Sequence, residues 1–188
     1  MTAPGLAAEP EFVVLAGEDG EPIGSALKAE VHTDSTPLHF AFSCYVLGPD
    51  GRMLISRRAL GKKTWPGVWT NACCGHPGVG ETNESAIERR MRDELGLDVS
   101  GIRPAVPGFR YRAVDFSGVV ENEICPVFLA EVARDPEPDP DEVMDWAWIA
   151  PRDLATAIDA APMAFSPWSV LQVRDMRERG VFPDAARD

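Results

Sequence analysis

The chain has 188 residues, 45% of them hydrophobic, and a formal net charge of −12. That length suits one compact unit with terminal extensions, and the charge argues against nonspecific binding to nucleic acid. No apolar run approaches the roughly 20 residues of a membrane-spanning helix. The opening MTAPGLAAEPEF lacks the basic stretch and long apolar segment of a secretory signal, so a cytoplasmic protein is expected.

Residues 1–10 are expected to form a flexible tail, 11–180 a single domain and 181–188 a second tail. FVVLAG and IGSALKAEV flank the turn sequence EDGEP and predict an early hairpin. LHFAFSCYVL and RMLISRR flank Gly48-Pro49-Asp50-Gly51, a stronger hairpin signal. The stretch 61–81, rich in Gly and Trp, follows neither the helical nor the strand period and reads as a loop. Asn83 is placed as the N-cap of a helix ending at Leu95, with Gly96 as its stop, and Ile87, Met91 and Leu95 form its buried stripe. FRYRAV and VVENEICPVFLAEV read as strands, ARDPEPDPDE as an acidic, solvated connection and MDWAWI as a further strand. Pro151 opens a helix to about Ile158, and Ser166-Pro167 begins a last helix to about Arg179, stopped by Gly180. Strands and helices mix without a regular alternation. The fold class is therefore α+β, a mixed sheet between helices.

Four cysteines stand at 44, 73, 74 and 125 without the spacing of a disulfide framework, which predicts free thiols. Cys44 and Cys125 lie in apolar runs and are expected to act as small buried hydrophobes. Arg52, Arg57, Arg58, Lys62 and Lys63 form a local basic stretch. It fits either an anionic ligand or a solvated strand end and loop.

The three histidines are His32, His39 and His76. A lone histidine is more often structural than a ligand, but His32 and His39 flank a turn-rich stretch and can converge by folding back. Glu121 and Glu123 share one side of a strand. That side continues into Cys125, Val127 and Leu129, and paired carboxylates in apolar surroundings want a cation. Imidazoles with carboxylates suit Mn, Fe or Zn.

The segment from Gly75 matches the Nudix box, G-x5-E-x7-R-E-U-x-E-E-x-G-U with U apolar, at Gly75, Glu81, Arg89, Met91, Glu94, Gly96 and Leu97. Arg90 and Asp93 occupy two further Glu positions of that pattern. Such a helix ordinarily holds divalent metal between its carboxylates and a diphosphate. Arg90 replaces an oxygen ligand with a guanidinium that can fork onto phosphate oxygens, which favours a diphosphate held intact.

Four strings, AEVHTDSTPLHFAFS, SRRALGKKTWPGVWTNACCGHP, FRYRAVDFSGVVENEICPVF and AFSPW, occur in order between about Lys28 and Trp168. With them the chain resembles the type 1 isopentenyl diphosphate isomerases, Nudix-fold proteins that interconvert isopentenyl and dimethylallyl diphosphate. The resemblance implies a catalytic thiol at Cys74, a catalytic carboxylate at Glu123 and a phenol beside it at Tyr111. It implies one divalent transition metal, Mn2+ first with Zn2+ or Fe2+ as alternatives, held by His32, His39, His76, Glu121 and Glu123. A Mg2+ arriving with substrate would be taken by Glu94 and the main-chain carbonyl of Cys74. Lys28, Arg58, Lys62 and Arg90 would grip the diphosphate, and Trp168 would close over the hydrocarbon.

Cys73 falls outside the motif and is expected to pack. Loop 61–80 and the Trp168 segment are expected to form a lid. The partner implied is a small-molecule diphosphate, not nucleic acid or membrane, with a monomer expected and a homodimer the alternative. Two rival readings remain in view. A Nudix diphosphohydrolase needs several carboxylates around an attacking water, and Arg90 argues against it. A noncatalytic metal-binding module leaves Trp168, Arg90 and the basic loop without a role.

Overall fold

The structure is a computed structural model that describes residues 10–183. Residues 1–9 and 184–188 of the two expected tails lie outside the described residues, while Phe182, assigned to the second tail, packs in the core. The early hairpin is β1 (Phe12–Ala16) and β2 (Pro22–Leu27), followed by the single helical turn α1 (Lys28–Val31). The apolar run LHFAFSCYVL forms two strands, β3 (His39–Phe40) and β4 (Phe42–Leu47), and β5 (Met53–Arg58) follows the Gly-Pro-Asp-Gly turn. At Ala41 the chain crosses from one sheet to another. VVENEICPVFLAEV divides in the same way, into β10 (Val120–Ile124) and β11 (Val127–Glu131). Pro126, which has no N–H to give a ladder, stands at that break.

The smaller sheet has the order β2-β1-β3-β10-β9, with β9 spanning Arg110–Val114. The larger sheet runs β12 (Val143–Ile149), β5, β4, β11, β8 (Ser100–Val106). Both are mixed: β3 pairs with β10 in parallel, and β4 with β11. Two short strands inside the expected 61–81 loop, β6 (Trp69–Asn71) and β7 (Cys73–Gly75), pair with β5 and β4. That corrects the loop reading; three-residue strands are too short to show a period. β8 was not foreseen either. Gly101 at φ 60° and Pro104 interrupt its sequence, and its register against β11 shifts twice.

Helix α2 (Asn83–Leu95) is capped by Thr82 rather than Asn83: the Thr82 hydroxyl accepts from the Ser85 N–H at 3.2 Å. Its C-terminal stop is Gly96, at φ 63°. α3 spans Pro151–Ala160 and α4 spans Pro167–Glu178, with the Ser166 hydroxyl capping α4 as its sequence predicts.

The larger sheet is buried on both faces, and its strands read accordingly. Along β4, Phe42, Cys44 and Val46 pack with Ile87, Met91 and Leu95 of α2, while Tyr45 packs with Leu154, Ile158, Val173 and Met176 of α3 and α4. Period-two alternation between two apolar layers produces the continuous hydrophobic run. This is an α+β architecture with a mixed sheet between helices. No helix among the described residues is long and apolar enough to cross a membrane.

Candidate active site

A cavity of about 470 Å³ opens where the ends of both sheets meet α1, α2 and α4, and it is lined by three groups of side chains. The first is the histidine and glutamate group. β3 and β10 pair so that His39 lies opposite Glu123, while His32 follows α1 and His76 follows β7. One ligand atom from each of His32, His39, His76 and Glu123 lies within 4.8 Å of the others.

His39 Nδ1 stands 2.9 Å from the Pro37 carbonyl, an acceptor, so Nδ1 carries the proton and Nε2 presents a lone pair. That Nε2 faces His76 Nε2 at 3.2 Å and Glu123 Oε1 at 3.5 Å, and His76 Nε2 is 3.3 Å from the same oxygen. Buried lone pairs aimed at one point repel each other unless a cation lies between them. In addition, His32 Nε2 and His76 Nδ1 are buried without a hydrogen-bond partner among the described residues. His32 Nε2 is 3.3 Å from Glu121 Oε2 but is not aligned to bond it. This donor set fits a divalent transition metal.

Glu121 stands at the edge of that group. Its Oε1 accepts a hydrogen bond from Thr64 at 2.7 Å. Burial, reinforced by the negative charge of Glu123, pushes its carboxyl up. Burial acts on Glu123 the same way, but the imidazoles of His39 and His76 beside it outweigh that and hold the carboxylate well below the usual range. Burial also drives His76 down to about 4, so its imidazole is neutral and free to coordinate at neutral pH.

The second group surrounds Cys74. β7 places Cys74 opposite Ser43 of β4. Asn71 Nδ2 donates to the carbonyls of Cys73 (2.7 Å) and Cys44 (3.1 Å), which fixes the amide so that Oδ1 faces the cavity. Oδ1 then accepts from Cys74 Sγ and from Trp168 Nε1, both at 3.1 Å. On the other side Tyr45 donates to Gln172 Oε1 (3.0 Å), Gln172 Nε2 donates to Ser43 Oγ (2.8 Å), and Ser43 Oγ lies 3.2 Å from Cys74 Sγ. With the thiol proton directed at Asn71, the Ser43 hydroxyl is left to donate to the sulfur. Burial pushes the Cys74 thiol up to about 12 despite the Ser43 bond, so it carries its proton at neutral pH.

Tyr111 lies directly across the β9–β10 ladder from Glu123, and its ring centroid is 6.0 Å from that of Trp168. Cys73 points the other way, into the core beneath α2.

The third group is cationic. Lys28 pairs with Glu11 at 2.6 Å. Arg90 reaches Glu94 with Nε at 2.7 Å and also lies near Glu11 and Glu142, and Lys62 pairs with Glu142. A side chain at Gly75 would put its Cβ 3.1 Å from Arg90 Cγ and 3.0 Å from the Phe42 ring, which explains a glycine there. Arg58 is oriented differently: its guanidinium donates to the Thr64 and Trp65 carbonyls and sits 5.3 Å over the Trp168 ring.

All the sequence-predicted site residues, His39 excepted, line the one cavity, and His39 borders it through the histidine group. Sequence reasoning missed Asn71, Ser43, Gln172, Thr64, Glu11 and Glu142. Asn71 and Thr64 lie inside SRRALGKKTWPGVWTNACCGHP, three and ten residues before Cys74, where no local signal marks them. Glu142 belongs to the acidic stretch assigned to solvent, and only its place after β11 turns it toward Lys62.

The fold is that of a known class. A NUDIX domain model matches residues 37–171. A crystal structure from Deinococcus radiodurans superposes with a TM-score of 0.69 at 22% identity, covering 88% of this chain and 99% of that one. A MutT protein from Methanosarcina mazei gives 0.59 at 15% identity over 77% and 96%. The chain is a NUDIX-domain protein.

Among curated proteins, the Isopentenyl-diphosphate Delta-isomerase of Kocuria rhizophila is 60% identical over 166 residues, 88% of this chain and 92% of that protein. The Klebsiella pneumoniae protein of the same name is 49% identical over 93% and 95% of the two chains. Within the NUDIX class the chain belongs to the isopentenyl-diphosphate Delta-isomerase family.

Proposed function

We propose that this site interconverts isopentenyl and dimethylallyl diphosphate, with Cys74 and Glu123 as its proton-exchanging pair. The observation that carries the reading is that the Cys74 thiol and the Glu123 carboxylate line the same cavity as an aromatic wall and a cluster of cations. Moving a double bond by one carbon adds one proton to an alkene carbon and removes another from the allylic position, with no net change. One group gives, the other takes, and the reverse reaction exchanges their roles.

Protonating an unactivated alkene produces tertiary carbocation character. Trp168, fixed through its N–H to Asn71, presents a ring that stabilises such charge by about 2 kcal/mol when water is excluded. Of the 61–80 stretch, the irregular part ahead of β6, together with Trp168, serves as the lid that excludes it. Lys28, Lys62 and Arg90 hold the diphosphate, and Arg58 holds the loop and indole as well.

His32, His39, His76, Glu121 and Glu123 would hold one transition metal, Mn2+ by our reading. When bound it supplies a positive charge that orients Glu123 and biases its proton affinity. Glu94 and the Cys74 carbonyl would take a Mg2+ that accompanies the diphosphate. Arg90 supports isomerisation over hydrolysis, because it puts a guanidinium at a box position where a water-activating site would need a carboxylate. We place the protein in the cytoplasm, acting on a small diphosphate as a monomer; its four free thiols suit a reducing compartment.

The test is incubation of metal-loaded protein with isopentenyl diphosphate in D2O, followed by NMR. Deuterium-bearing dimethylallyl diphosphate without free phosphate is expected. Cys74→Ala should lose this activity by at least about 100-fold and keep its metal, whereas Cys73→Ala, altered on the α2 side, should keep its turnover. Release of phosphate or pyrophosphate by the parent would replace the isomerase reading with a hydrolase.

A further inference from the structure

We propose that Thr64 is a positioning residue for the metal centre, holding one oxygen of Glu121 so that the other is presented to the metal. The proposal rests on Glu121 being a ligand of that centre, as read above. Thr64 and Glu121 are 5% and 7% exposed, so their 2.7 Å hydrogen bond forms away from water.

The direction of the hydroxyl proton is set by Arg58. Arg58 Nη2 donates to the Thr64 carbonyl at 2.8 Å and lies 3.4 Å from Thr64 Oγ1. A guanidinium has donors and no acceptor, so Oγ1 receives from Arg58 and gives its own proton to Glu121 Oε1. That leaves Glu121 Oε2, the oxygen 3.3 Å from His32 Nε2, facing the histidine group. Thr64 thereby divides the carboxylate into a held oxygen and a coordinating one.

The neighbours of Thr64 extend the argument. Lys63 donates to the main-chain carbonyl of His32 at 2.6 Å, and Lys62 pairs with Glu142 in the cation cluster. Three consecutive residues thus touch the diphosphate subsite, the backbone of one metal ligand and the side chain of another. Nothing in the Nudix box or the histidine pattern specifies a hydroxyl at position 64. Its role follows from where the loop delivers it.

The test uses the full chain stripped of metal and titrated with Mn2+ and with Zn2+ by calorimetry, for the parent, Thr64→Val and Thr64→Ser. Valine keeps the shape and deletes the hydroxyl; serine keeps the hydroxyl. Loss of a hydrogen-bond partner behind a metal ligand typically weakens binding about 10–100-fold. Thr64→Val is therefore expected to bind at least about 10-fold more weakly, with Thr64→Ser close to the parent.

The absorption spectrum of the Co2+-loaded forms gives a second readout. It is expected to change in Thr64→Val, where both Glu121 oxygens become free, and to be retained in Thr64→Ser. Should Thr64→Val not fold, Thr64→Ala is measured in its place. Parent-like affinity and spectrum in the hydroxyl-free variant would overturn the proposal while leaving the metal centre standing. A parent that binds neither ion would overturn the centre itself, and the proposal with it.

Discussion

Asn71 is a fully buried polar side chain whose amide could be oriented in only one way: its two donors are spent on main-chain carbonyls, and its oxygen gathers the Cys74 thiol and the Trp168 indole. One atom therefore sets the spacing between a proton donor and the aromatic face. Lys62 illustrates the opposite case, a charged group in an unfavourable place. Burial lowers it to about 8, and the charges of Arg58, Arg90 and Lys28 add to that against the attraction of Glu94. A lysine with a depressed pKa is charged below that value and loses its charge as pH rises through it. For the diphosphate substrate, kcat/KM is expected to be flat below neutrality and to fall by about 10-fold above pH 8, the worth of a charged hydrogen bond. Lys62→Arg should move that limb beyond the accessible range. A pH series on the two proteins checks both statements.

The segment between β5 and β6 has no regular structure, yet hydrogen bonds from Arg58 and Lys63 and to Glu121 and Asp115 fasten it. Trp65 stands at φ 43°, unusual for a bulky residue. It is held there by its N–H bond to Asp115 (2.8 Å) and by Arg58 on its carbonyl. Its ring then packs edge-on against Trp168 at 5.5 Å. Asp115 also accepts from the Ser117 N–H, and its carboxylate is held low by these donors although burial opposes it. Asp115→Ala should destabilise the fold by about 1–3 kcal/mol, since two N–H groups lose their acceptor. Asp115→Asn should cost less, because an acceptor oxygen remains. Urea denaturation of the three proteins is the measurement. Elements of this kind leave little trace in sequence: Trp-Pro-Gly announces a turn, but the Asp that fixes it lies 50 residues away.

The residues that would hold the metal come from four separated places: after α1, on β3, after β7 and on β10. An ion bound there ties both sheets and the long connection into one unit, and it binds the folded chain alone. Chelation is expected to lower Tm by about 5–10 °C, from the roughly 2.7 kcal/mol that a ligand at a hundredfold excess over Kd contributes. In His39→Ala the chelator should no longer move Tm. Thermal scans with and without EDTA decide this. A parent whose Tm ignores the chelator would remove the metal from any structural role.

The sequence by itself determined the fold class, the helix carrying the box residues, the start of the last helix at Ser166-Pro167, and the family. These depend on local signals that act over a few residues: caps, turns, periodicity and fixed spacings. It also singled out the three histidines and the paired glutamates, because charged and coordinating groups in apolar runs are costly and therefore conspicuous. Tertiary structure alone decided which hydroxyls, amides and acids support them. Ser43, Thr64, Asn71 and Gln172 carry no charge and occur at unremarkable positions, and Glu142 looked like part of a solvated acidic stretch. Their meaning lies largely in long-range pairings, such as Ser43 with Cys74, 31 positions away, and with Gln172, 129 away. Hydrogen bonds are short and directional, so only the folded chain fixes who bonds to whom.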